Sequence, residues 1–166
     1  MARRSVCFVV LLGCAWYNWR MEVPTQKRKA SPRAAAAGYS IVARVAEKEA
    51  WRLRKRAHKP WLSDVRPVDA TRIEKARLRG LLYVQLDKSF ADNPKVKIPD
   101  RQRVLGAAAL LLAVGGENEK AADAINLQLQ LETRQLPVSP SAESAEKDFD
   151  MRFREVCDIA AILHPR

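Results

Sequence analysis

The sequence predicts an all-α fold, an irregular helical domain with a central αα-hairpin and an extended basic N-terminal arm. Three observations carry this. Apolar residues recur at helical spacing through most of the chain, capping residues stand at the expected starts, and prolines and glycines punctuate between.

The first helix is predicted over about residues 33–59. Ser31 is placed to cap it and Pro32 to occupy its first position. Ala46, Ala50, Leu53 and Ala57 form one face, and Arg52, Lys55, Arg56 and Lys59 the opposite one. His58-Lys59-Pro60 ends it, and residues 60–68 read as an extended connection. Asp69 then caps a helix over about residues 70–88, which Gly80 interrupts and weakens. Asp92-Asn93-Pro94 is a turn, and Lys95 to Ile98 reads as extended and stopped by Pro99.

Asp100 is expected to cap an apolar helix over residues 101–114. Gly115-Gly116 turns the chain into another helix over about residues 117–135, and the two make the central hairpin. Within the second, Ile125, Leu127, Leu129 and Leu131 alternate with polar residues, which is the strand period. Leu, Gln, Ala and Glu favour helix, only Ile125 is β-branched and no partner strand is evident, so helix is the preferred reading. After the stiff stretch at residues 136–140, a last helix spans about residues 142–163. Phe149, Phe153, Val156, Cys157, Ala160 and Leu163 line one side of it.

Charge is unevenly distributed. The chain of 166 residues carries 30 Lys/Arg and 19 Asp/Glu, a net of +11. Residues 1–66 hold 15 cations and four acids, so the whole excess lies there, and residues 67–166 balance at 15 each. That asymmetry points to a polyanionic partner. Three organisational segments follow: an apolar stretch at 1–20, a basic arm with a long amphipathic helix at 21–66, and a helical domain at 67–166.

Arg3 and Arg4 precede an apolar run that includes Phe8, Leu11 and Leu12 and ends in Trp16, Tyr17 and Trp19. Three readings fit: a membrane or interface helix, a targeting signal, or a helix packed in a soluble assembly. As a helix, residues 5–19 would extend about 22 Å, short of the roughly 30 Å hydrocarbon layer. Residues 21–46 contain Glu22 as their only acid and four consecutive alanines, which resembles an organellar transit region in composition. Cys7, Cys14 and Cys157 make no disulfide framework, which points away from a secreted, stapled protein.

Chemistry-bearing constellations are sparse. His58 and His164 stand far apart, no His/Cys cluster has metal-ligand spacing, and no catalytic triad or cofactor site can be nominated. Ser144 and Lys147 match a Ser-x-x-Lys pattern without its companion motifs, so Ser144 reads as a capping or surface residue. Asp148 and Asp150, two apart, do not share a helix face. The remaining candidate is a polyanion-binding patch of Arg52, Arg54, Lys55, Arg56 and Lys59, flanked by Trp51 and Trp61 for stacking or partner contact.

The function expected from these features is non-catalytic. It is that of an accessory subunit of a larger assembly, an organellar membrane complex of mitochondrion or plastid, contacting other subunits and the membrane through residues 5–19. Its basic face would meet RNA or anionic lipid. The alternative is an RNA-binding structural protein, such as a peripheral organellar ribosomal component. A small enzyme ranks third.

Overall fold

The computed structural model describes residues 31–58 and 69–164, and the residues from Ser31 onward form one compact unit. Five helices follow in order: α1 (Pro32–Ala57), α2 (Ala70–Phe90), α3 (Ile98–Val114), α4 (Asn118–Thr133) and α5 (Ala142–Leu163). The described residues contain no strand, and the protein is all-α. No helix among them is long and apolar enough to cross a membrane. Phe8, Leu11, Leu12, Trp16, Tyr17, Trp19, Lys59 and Trp61 lie outside the described residues, as do Cys7, Cys14 and the connection at 60–68.

Local chemistry sets the helix starts. Ser31 Oγ accepts from the Ala34 N–H at 3.2 Å, Asp69 Oδ1 from Arg72 N–H at 2.8 Å, and Ser141 Oγ from Ser144 N–H at 3.2 Å. The α3 start differs from the sequence expectation. Lys97, not Asp100, is the N-cap, and Pro99 lies inside the first turn. Proline has no N–H to lose there, because the first turn leaves those donors unpaired anyway. Asp100 sits in that first turn, buried, with Arg103 Nη1 donating to its Oδ1 at 3.2 Å.

Helix α3 is the axis of the domain and touches all four other helices. Every residue from Ala107 to Val114 is buried, which requires neighbours on all sides. Its end is a Schellman turn. Glu117 N–H donates to Leu112 O at 2.8 Å and Gly116 N–H to Ala113 O at 3.0 Å, with Gly116 left-handed at φ 78°. The chain then reverses into α4, which packs back along α3.

The alternating stretch at 125–132 is helical. Its core side is built from Ala121, Ala124, Ile125 and Leu131, so the alanines carry a helical stripe that the leucine alternation hides. Gly80 does not interrupt α2. It is buried inside the helix, where an added Cβ would meet Leu112 Cγ at 2.7 Å and Leu112 N at 3.1 Å. The glycine lets α2 approach α3 closely.

Helix α1 buries Tyr39, Ala43, Ala46, Ala50 and Ala57, a stripe that starts two turns earlier than Ala46. Gly38 lies in the same helix with nothing within 4 Å of an added Cβ. Gly38→Ala is therefore expected to raise stability by about 0.5–1 kcal/mol, mostly by restricting the unfolded chain. A lower urea midpoint would contradict a continuous α1 through that position.

Candidate functional site

Histidine and cysteine, residue types that carry chemistry, are few among the described residues. No group of His, Cys, Asp and Glu among the described residues could hold a metal ion. The Cys157 thiol is pushed up by burial and by Asp158, which disfavours the thiolate a nucleophile needs. Lys147 Nζ donates to Glu143 at 2.6 Å, so its ammonium is engaged away from Ser144, whose N–H completes the cap of α5.

A buried polar cluster links α1, α2 and α3. Asp87 is 2% exposed and accepts from Tyr39 Oη at 2.9 Å and from Arg101 Nε and Nη2, each at 2.8 Å. The Tyr39 ring also packs on Phe90, with centroids 5.2 Å apart. Burial and the Asp87 carboxylate push the Tyr39 hydroxyl well above the tyrosine range, so it stays a donor. Each polar group is satisfied, which marks a cross-brace rather than a reactive centre.

A polar cavity of about 260 Å³ is lined from α1, α3, α4 and α5. Its arginines are matched. Arg54 Nε donates to Glu155 at 3.0 Å, Arg103 pairs with Glu47 at 3.4 Å, and Arg152 makes two bonds to Glu132 at 2.8 and 2.6 Å. Such a set ties helices together and leaves no net charge to recruit a ligand.

The outer side of α1 is different. Arg33, Ala37, Ile41, Arg44, Lys48, Arg52 and Lys55 follow one another at steps of three and four, and all are exposed. Across 22 residues that stripe runs about 33 Å. Ile41, Val45 and Trp51 are 60%, 56% and 55% exposed on or beside it. Lys55 Nζ stands 4.7 Å from the Trp51 ring centroid, a cation–π contact. The helix has only two acids and both are engaged, Glu47 with Arg103 and Glu49 with Arg79 and Tyr83. Arg33, Arg44, Lys48 and Arg52 form no ion pair with any described residue.

The structure therefore divides the patch read from sequence. Arg52, Lys55 and Trp51 lie on the outer stripe. Arg54 turns to α5 and is held by Glu155, while Arg56 lines a groove with Arg72, Lys75 and Arg79 of α2. Lys59 and Trp61 are outside the described residues. Arg33, Arg44 and Lys48 join the stripe, and the three-and-four spacing already in the sequence identifies them. Lys95 and Lys97 also line a groove shared with Arg33 and Arg44 of α1. That juxtaposition is tertiary and has no sequence signal.

Comparison of the chain with known protein families, with curated proteins and with solved structures finds no match.

Proposed function

We propose that this protein is a non-catalytic accessory subunit of a larger, membrane-bound organellar assembly, docking on an anionic membrane surface through the outer face of α1. The observation that carries the reading is the interleaving of unpaired cations with exposed Ile41, Val45 and Trp51 along that face. Cations serve any polyanion. Aliphatic side chains among them favour a bilayer interface, where they enter the boundary between headgroups and acyl chains. The basic stretch that precedes α1, with Lys27, Arg28 and Lys29 and Glu22 as its one acid, supports an organellar setting.

RNA is the competing polyanion, and exposed Trp51 is the feature that favours it, as a stacking platform. Sedimentation of the full chain with neutral and anionic vesicles, beside an RNA titration at several salt concentrations, separates the two. Each interfacial cation contributes about 1 kcal/mol of attraction to an anionic leaflet. The variant R44Q/K48Q/R52Q/K55Q is thus expected to lose about two to three orders of magnitude of binding to anionic vesicles. Its thermal midpoint should barely move, since these side chains are exposed. Comparing anionic with neutral vesicles isolates this term from any contribution of residues 5–19. Equal binding to both vesicle types, with RNA affinity whose salt slope falls in the variant, would transfer the proposal to RNA.

A further inference from the structure

We infer that the groove between α1 and the α2–α3 connection is a binding site for a lipid headgroup bearing more than one phosphate; this rests on the membrane-docking reading above. Four cations line it, Arg33 and Arg44 from α1 with Lys95 and Lys97 from the connection, around an open volume of about 650 Å³. The floor is small, formed by Ala36, Ala37 and Ser40, so the charged ends are not filled in by bulk. The volume falls within the roughly 300–1,000 Å³ of small-ligand sites and exceeds what one phosphate fills.

The lysines are held in place by the backbone beneath them. Asn93 Oδ1 accepts from Lys95 N–H at 3.0 Å, and Asn93 Nδ2 donates to Pro32 O at 3.3 Å, which ties the connection to the first turn of α1. Val96 packs against the core, so Lys95 and Lys97, one on each side of it, both remain exposed. None of the four cations pairs with a carboxylate among the described residues. The one acid in the wall, Asp100, is buried and already engaged by Arg103. Like charges lining one groove repel one another, and a multiply charged anion offsets that repulsion. Arg33, Ile41 and Arg44 belong both to the groove and to the stripe. A headgroup bound here would therefore leave its acyl chains on the side where the stripe meets the bilayer.

The test compares the full chain on two vesicle preparations of equal surface charge. One carries phosphatidylserine, the other a bisphosphorylated lipid at a correspondingly lower mole fraction. At least tenfold tighter binding to the second is expected. R33Q/K95Q/K97Q should abolish that preference, with its fold checked by circular dichroism. R52Q/K55Q should weaken binding to both preparations alike and leave the preference standing. Equal affinity for the two preparations in the wild type would overturn the groove while sparing the docking face. No difference between anionic and neutral vesicles would overturn both. Binding of a soluble inositol polyphosphate as tightly as the vesicles, unaffected by added lipid, would refute a membrane source for the ligand.

Discussion

Asp87→Ala is expected to destabilise the domain by about 3–5 kcal/mol, the range for removing one partner of a buried ion pair. The carboxylate is 2% exposed and takes three bonds, two from Arg101 and one from Tyr39. Without it, a guanidinium whose side chain is only 15% exposed has lost its counter-charge, and a buried hydroxyl has lost its acceptor. Alanine returns a few tenths of a kcal/mol in helix propensity, too little to change the outcome. At about 2–4 °C per kcal/mol for a domain of this size, the midpoint should fall by roughly 6–20 °C. Tyr39→Phe removes a single bond and should cost about 1 kcal/mol. Replacing Asp87 and Arg101 together by apolar residues should cost less than Asp87→Ala alone, because no charge is then stranded. Thermal melts decide the matter. A shift below 2 °C for Asp87→Ala would mean that water reaches Arg101.

The second large effect is expected at Gly115. Its backbone, with φ −77° and ψ 0°, suits any residue, so only space is at stake. An added Cβ would lie 2.6 Å from Arg77 Cβ and 2.7 Å from Arg77 Cα. A side-chain tip can swing aside, but a Cα moves only if α2 moves. Gly115→Ala should therefore cost about 3 kcal/mol, the upper part of the overpacking range. Gly38→Ala, the same change on the open side of α1, is expected to stabilise. Chemical denaturation of both variants checks the pair, and equal midpoints would contradict the close crossing of α2 and α3.

The helices were legible because each carries its own signals. Ser31 and Asp69 cap where the sequence places them, and the Gly115-Gly116 break ends α3. What stayed hidden is relational. Asp87 and Arg101 lie fourteen residues apart on different helices, and nothing local distinguishes either from a surface charge. Gly80 reads as a helix breaker until the neighbour that needs its missing side chain is known. Pro99 ends one reading and begins another according to which residue caps the helix. The basic patch was partly legible. Proximity along the chain groups Arg52, Arg54, Lys55 and Arg56, but successive residues on a helix point about 100° apart. Arg54 is thereby carried to α5 while Arg44 and Lys48 join Arg52.

The inner seam of α1 has a mechanical consequence. Four of its five buried residues are alanine, so the knobs that lock it lengthwise are Tyr39 and the partly buried Val42 and Leu53. Polar pegs along the helix add to them: Tyr39 on Asp87 at one end, Glu47 on Arg103 and Glu49 on Arg79 in the middle, and Arg54 on Glu155 towards the other. Pulling the first peg would loosen the N-terminal end of α1, while Glu47, Glu49 and Arg54 still hold the rest of the helix. Asp87→Ala should then broaden the amide resonances of α1 more than those of α4, and uniform line widths would show that the alanine seam indexes itself. That peg and the bond from Asn93 to Pro32 O together set the spacing of the outer-face cations relative to Lys95 and Lys97.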